Sequence, residues 1–445
     1  MPRAKERLDP ALVRLCVVVV IGGAAPLLDT TIVAVALDAL GRSFGADLAT
    51  IQWAMSGYLL AMAMVTPATG WAVDRFGARR MWIGSVLAFG LASVLAGTAW
   101  SAGSLIAFRI LQGAAGGVLL PVGATLLVQA AGPQRLGRVT AAVSIPAQVA
   151  PIVGPLLGGL VVDSVSWRWC FFLNVPVCLL AAALAHRAVP AVPGEAAQRL
   201  DVRGLALLAP AVGALTYGLT QSGPWVVAAG VLLIVAFVVH ARRADHPLID
   251  LRLFARRSFT GATLTLFLLS ASLFGSMLLV PLYVQQVLGA SALAAGSALV
   301  PQFAGTLLAL TFVGRLADRL PARPIVLAGV VVAVLGTLPF TLESPDAALL
   351  GVALFVRGIG FGAATVTLMT AAYRDIDKAQ VPRATSALQI GQRIGAPLGA
   401  AVTAVVLQCQ LAVAAPATAF GSTFWWSLAL TAPALLPVVL LRRRR

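Results

Sequence analysis

The chain has 445 residues, 60% of them hydrophobic and only 11% charged, with a mean hydropathy of +0.94. That balance excludes a soluble globular domain, which could not hide so much apolar surface from water. The net charge of +16 would suit a nucleic-acid binder only if the basic residues were clustered on one surface, and here they lie almost wholly between apolar runs.

Runs long enough to cross about 30 Å of hydrocarbon at 1.5 Å per residue read as fourteen helices: 12–40, 49–72, 81–100, 103–131, 139–163, 168–187, 204–220, 224–240, 259–286, 291–316, 324–342, 347–372, 384–411 and 422–441. The first continues apolar through Thr31 to Leu37, longer than a signal-peptide core, so it reads as an uncleaved span. An even count puts both termini on one side. Of the 32 basic residues, 27 fall in the loops and termini of that side. Arg42 and Arg168 alone fall on the other, and Arg109, Arg357 and Arg393 lie inside spans. By the positive-inside rule that side is the cytoplasm. The expected setting is therefore a bacterial inner membrane.

The chain carries weak internal repetition. Gly70-Trp-Ala-Val-Asp74-Arg75 is echoed by Gly314-Arg-Leu-Ala-Asp318-Arg319, Arg109 by Arg357, and Gly154-Pro155-Leu-Leu-Gly158 by Ala396-Pro397-Leu-Gly399. The three echoes come in order at near-constant spacing and begin on the same membrane side. They imply two parallel six-helix halves, 1–190 and 251–445, separated by polar loops and two inserted helices within 191–250. Alternating access at the interface of the halves is the mechanism such repeats suit.

Chemistry-bearing patterns are few. No lysine follows a glycine in a phosphate-binding loop, which excludes a built-in ATPase, and His186, His240, His246 and the four cysteines show no metal-ligand or disulfide spacing. No cofactor is expected. Ionisable groups inside a bilayer are costly and are kept for function or pairing. Asp29 is the clear embedded carboxylate, whereas Asp38, near the outer end of the first span, is expected to be solvated. Asp29, Arg109 and Arg357 lie roughly 9–16 Å from the outer ends of their helices at 1.5 Å per residue, so all three could meet around one cavity. Gln112, Gln148, Asn174, Gln392 and Arg393 are further candidate lining groups, although helix–helix hydrogen bonds would explain the neutral ones equally well.

Taken together, the motifs resemble the major facilitator superfamily and in particular its fourteen-helix drug:proton antiporter branch. The match runs in order through Leu28-Asp29-Thr-Thr31, Gln52-Trp53 with Tyr58, the loop Gly70-x-x-x-Asp74-Arg75-x-Gly77-x-Arg79-Arg80, Arg109-x-x-Gln112-Gly113, Gly154-Pro155-x-x-Gly158-Gly159, Trp167 to Pro176, and His246-Pro247-Leu-Ile-Asp250. Ala150 departs from the glycine often found there. The resemblance implies an all-α membrane fold of two six-helix bundles plus two inserted helices. It implies proton-coupled export of hydrophobic or amphipathic molecules, the proton gradient being the energy source and the chain working as a monomer.

It further implies that Asp29 and Arg109 couple the proton. Gly70, Asp74, Arg75 and Gly77, with Asp318 and Arg319, would latch the cytoplasmic gate, where Gly70 is expected to permit close helix approach. Gly154, Pro155, Gly158 and Gly159 would form the antiporter motif. Asp29 could equally serve as a counter-ion for cationic substrates, and two plainer readings stand beside these roles, a structural partner for Arg109 and a helix-bending polar residue. A narrow-specificity metabolite transporter of the same superfamily is the alternative function. A membrane enzyme or receptor, the alternative of another class, lacks clustered catalytic groups or a sizeable soluble domain.

Overall fold

The computed structural model describes residues 9–189, 200–220, 223–244, 247–317, 321–342, 346–373, 376 and 381–441, the side chains at 132–138, 140–148, 220, 314–317, 347, 381–383 and 386 excepted. The described chain is helical from end to end. In order, the helices and spans are α1 Pro10–Phe44, α2 Leu48–Phe76, α3 Ala78–Gly97, α4 Ala102–Ser164, α5 Trp169–Ala188, α6 Val202–Thr220, α7 Pro224–Arg243, α8 Arg257–Gln286, α9 Ala292–Ala317, α10 Ala322–Leu335, α11 Ala347–Ala372, α12 Val381–Leu411 and α13 Pro416–Thr431. In lipid only structures that satisfy their own backbone groups can span, and helices do so within one segment.

The 63-residue run of α4 would reach about 95 Å if straight at 1.5 Å per residue, three times the hydrocarbon thickness. Its two ends pack on one cluster instead. Ala102, Leu105 and Phe108 from the start and Val161 and Val162 from the end all join Ile32, Val33, Ala36 and Leu40 of α1. The path therefore reverses between the apolar stretches Ala102–Ala131 and Val149–Ser164.

Among the described residues twelve helices are long and apolar enough to cross a membrane, so the expected count of fourteen is not reached. Of the two expected spans not counted, the one at 139–163 falls in part on 140–148, whose side chains lie outside the described residues, and Val149–Ser164 is its described apolar part. At 422–441, α13 stops after 16 residues and gives way to a 3-10 turn, Ala432–Ala434, and a four-residue helix, Leu435–Val438. Pro433 and Pro437 remove backbone donors there and forbid a continuous helix.

The halves before and after α6–α7 meet where α1 faces α8, with Gln285 Nε2 donating to the Val35 carbonyl at 3.1 Å, and along two further seams. At one, α4 meets α9: a Cβ added to Gly159 would run into the backbone of Ala292 and Leu293, and one on Gly296 into Pro155. Small residues thus let two helix backbones approach closely. At the other, α2 meets α12, and the inserted α6 lies over it. Leu208 and Val212 of α6 share a cluster with Ala63 and Met64 of α2, Ile390 of α12 and Phe237 of α7.

Asp201 fastens this inserted pair. Its carboxylate accepts from Gly204 N at 2.8 Å and Leu248 N at 2.9 Å, and lies 2.7 Å from His240 Nε2. Burial pushes its carboxyl up, but the bonds from Gly204, His240 and Leu248 outweigh burial and hold it below the ordinary carboxylate value. A group with a lowered folded value stabilises fully above its unfolded value, and that contribution is lost as pH falls through the folded value. Asp201→Ala is expected to cost about 1–3 kcal/mol through orphaned donors and to flatten the acid limb of a melting-temperature profile taken in detergent. An unchanged acid limb would contradict this assignment.

Candidate functional site

The candidate site is built inside the N-terminal half, where four spans converge on one carboxylate. Asp29 of α1 and Arg109 of α4 are both 0% exposed and form an ion pair through Arg109 Nη1 and Asp29 Oδ2. The same Nη1 donates to Gln112 Oε1 at 2.6 Å, and Arg109 Nε donates to the Ala54 carbonyl of α2 at 2.8 Å. The other carboxylate oxygen, Asp29 Oδ1, accepts from Gln112 Nε2 at 3.1 Å and from Asn174 Nδ2 of α5 at 2.9 Å. Both amides also reach Ser93 Oγ of α3, at 2.6 and 3.3 Å. The Tyr58 ring of α2 covers the guanidinium at 4.1 Å from its carbon, with Phe171 at 5.6 Å, close enough for cation–π attraction.

Two buried charges lose several kcal/mol each of hydration, which attraction repays only if the remaining lone pairs and protons find partners. Gln112, Asn174, Ser93 and the Ala54 carbonyl supply them for all but Arg109 Nη2, which has no hydrogen-bond acceptor although the Tyr58 ring covers the guanidinium. The local sequence makes this possible. Arg109 and Gln112, three apart on one helix, face the same side. Gly113 meanwhile lets α4 press against α2, since a Cβ there would strike the Tyr58 carbonyl.

Arg357 does not join this cluster, against expectation. It is 1% exposed and enclosed within the C-terminal half, donating to Ser276 Oγ, to Gln302 Oε1 at 2.9 Å and to the carbonyl and hydroxyl of Ser272, each at 3.1 Å. Phe361 lies over it at 4.8 Å. The two echoed arginines therefore occupy like places in the two halves, but only Arg109 has a carboxylate. The reason is in the facing helix, where α8 offers Ser272 and Ser276 and no acid.

Gln392 and Arg393 of α12 are half-buried, and Arg393 Nη1 donates across the seam to Thr66 Oγ1 of α2. The side chain of Gln148 lies outside the described residues, as do Asp318, Arg319 and His246.

In the loop motif Asp74 and Arg75 are exposed, and Gly77 adopts a φ of +83°, which explains a glycine there. Gly70 departs from expectation: a Cβ added to it would meet nothing within 4 Å, so close helix approach is not its role here. Gly154 and Gly158 press on α1, against Thr31 and the Ile32 carbonyl, with Pro155 buried between them and packed against Gly296 of α9. Gly159 faces α9 as described above.

Toward the end of the molecule that carries Arg42 and Arg168, carboxylates tie the halves together. Asp163 of α4 accepts from the first amides of α9, Ala292 N at 3.0 Å and Leu293 N at 2.8 Å, placing negative charge on a helix N-terminus, where it is favoured. Asp47 accepts from Gln408 Nε2 of α12 at 3.1 Å while Gln408 Oε1 accepts from Ala49 N at 2.8 Å. Asp38 accepts from Gln286 Nε2 of α8 at 2.8 Å and pairs with Arg42 at 2.8 Å. It is 8% exposed, buried rather than solvated as expected, because the second half covers it.

Sequence reasoning missed Ser93, Ser272, Ser276 and Thr66. Spacing offered a signal only for Ser272 and Ser276, which stand four apart on one helix face.

Removing one partner of a buried pair costs about 3–5 kcal/mol, because it strands the other charge. Asp29→Ala is therefore expected to lower the melting temperature in detergent sharply. The double variant Asp29→Asn, Arg109→Gln, which strands no charge, should recover most of that loss. Losses that simply add would show that the two residues are not coupled.

A sequence model of the Major Facilitator Superfamily matches residues 19–400. The chain is 39% identical over 420 residues to a "Multidrug resistance protein B homolog" of Mycobacterium tuberculosis, covering 91% of this chain and 78% of that protein. It is 31% identical over 412 residues to the "Methylenomycin A resistance protein" of Bacillus subtilis, covering 88% and 86%. Among solved structures it superposes on the nucleoside transporter NupG with a TM-score of 0.73 at 12% identity, over 97% of this chain and all of that one. Its spans and these matches make it a multi-pass membrane transporter and not an enzyme, and the chain belongs to the major facilitator superfamily.

Proposed function

We propose that this chain exports hydrophobic or amphipathic small molecules, drugs and antibiotics among them, from the bacterial cytoplasm in exchange for protons. The observation that carries the reading is the carboxylate–guanidinium pair sealed between the helices of one half, beside a relative named for multidrug resistance. Burial disfavours a lone carboxylate anion and a paired guanidinium favours it. A helix movement that parts Arg109 from Asp29 would therefore load a proton, and its reversal would release one. No cofactor is needed, since the proton gradient supplies the energy, and one chain contains both halves of the machine.

With the chain oriented by the charge rule, the cross-half ties at Asp38, Asp47 and Asp163 suit a state shut toward the outside. In that state Asp74 and Arg75 stand exposed at the cytoplasmic end. The opposite state would break the outer ties and bring the Asp74 loop, with the Asp318 loop, against the facing half. The motifs around Asp29, Gly154 and Trp167 support the drug:proton antiporter reading independently of helix count.

The test is expression in an efflux-deficient bacterium, a screen of toxic compounds, and proton measurements in inverted vesicles with an acidified interior. An exported compound is expected to raise vesicle pH when added. Resistance without that alkaline shift would refute proton exchange while leaving export, and absence of resistance to any compound would refute the export reading.

A further inference from the structure

Among the described residues the span interiors hold few charged groups, and most are enclosed among polar partners, though Arg109 Nη2 and Arg357 Nε lack an acceptor. Asp29 is enclosed by Arg109, Gln112 and Asn174 and has no exposed surface. Asp38 is taken by Arg42 and Gln286. Arg357 is sealed behind Ser272, Ser276 and Gln302. Arg393 differs. It is half-buried on α12, about 18 Å along that helix from Val381 at 1.5 Å per residue, and it sits at the seam between the halves. The bond from its Nη1 to the Thr66 hydroxyl is the one contact described for its five N–H donors, and that hydroxyl donates onward to the Met62 carbonyl at 2.7 Å. Its neighbours Gln389, Gly391, Gln392 and Ile394 are half-buried as well, so this stretch of α12 stays accessible in the middle of a span.

A guanidinium at that depth is costly to maintain without an anion, and among the described residues no carboxylate forms an ion pair with it. The accessible electrostatics of the seam are consequently positive. A cationic ligand would find Asp29 shut away, whereas a ligand bearing a carboxylate or sulfonate would find a fork of N–H groups suited to two oxygens at once.

We propose that Arg393 is the recognition site for the anionic group of an amphiphilic substrate, so that hydrophobic acids are a preferred cargo. This rests on the export reading above and narrows it. It also sets aside the reading of Asp29 as counter-ion for cationic substrates in this state. The anion displaces or shares the Thr66 contact, and its apolar body lies against the apolar side chains of the seam, where Ile394 and Leu60 are half-buried.

The test uses two probes of one skeleton, 1-anilinonaphthalene-8-sulfonate, a permanent anion, and the neutral N-phenyl-1-naphthylamine, each taken up by inverted vesicles with an acidified interior. The wild type is expected to accumulate both. Arg393→Gln should lower accumulation of the sulfonate about tenfold or more, the scale of one lost charge-assisted contact. The neutral probe should stay near wild-type level, and Arg393→Lys should restore part of the sulfonate uptake. Thr66→Val removes only the tie across the seam and should leave the ratio of the two probes unchanged. An equal fall for both probes in Arg393→Gln, or a ratio lowered as much by Thr66→Val, would reduce Arg393 to a structural tie and overturn the proposal. A wild type that moves the neutral probe and not the sulfonate would overturn it while leaving the export reading intact. A wild type that moves neither would remove the export reading itself.

Discussion

The ion pair between Asp29 and Arg109 is the constraint around which the N-terminal half is arranged. A charge buried in the middle of a membrane span persists only if its whole first layer of contacts is polar and well placed. That layer draws on five helices of the half: Asp29 from α1, the Ala54 carbonyl and Tyr58 from α2, Ser93 from α3, Gln112 from α4 and Asn174 from α5. Their convergence fixes how closely the helices approach, and Gly113 and Gly154 stand where those approaches are tightest. The C-terminal half meets the same demand for Arg357 with hydroxyls and an amide. One half thus holds a carboxylate–guanidinium pair and the other an arginine held by neutral groups.

That asymmetry was partly legible in the sequence. The spacing of Arg109 and Arg357 marked them as counterparts, and an isolated aspartate in an apolar run marked Asp29. Which residues gather around each arginine was not legible, because Ser93, Ser272 and Ser276 look like any small polar residue of a membrane helix until the neighbouring helix is placed. Depth along the helices suggested that Arg357 could meet Asp29. Depth carries no information about which face an arginine occupies, and Arg357 turns inward to its own half. Asp38 misled for a related reason, since a residue near a helix end reads as solvated until the opposite half covers it. The helix count went astray where prolines at 433 and 437 broke an apolar run that hydropathy alone reads as continuous.

The seams between the halves carry the second layer of the account. Backbone-to-backbone packing of α4 on α9 through Gly159 and Gly296 is tight and shape-dependent, and the Asp163 carboxylate closes its end on the first turn of α9. The α2–α12 seam is looser in its middle, where Arg393 and its half-buried neighbours lie, and the inserted helix α6 covers it. The inserted pair thereby touches both halves while remaining fastened to the linker through Asp201 and Leu248.

The central claim is that proton exchange runs through Asp29 and its separation from Arg109. It is tested most directly by comparing wild type with Asp29→Asn, at matched membrane expression, for transport of one neutral substrate in inverted vesicles. The account predicts that the Asn variant equilibrates the substrate down its own gradient but builds no accumulation when a pH gradient is imposed. Accumulation at the wild-type level would contradict it and place the exchangeable proton elsewhere in the protein.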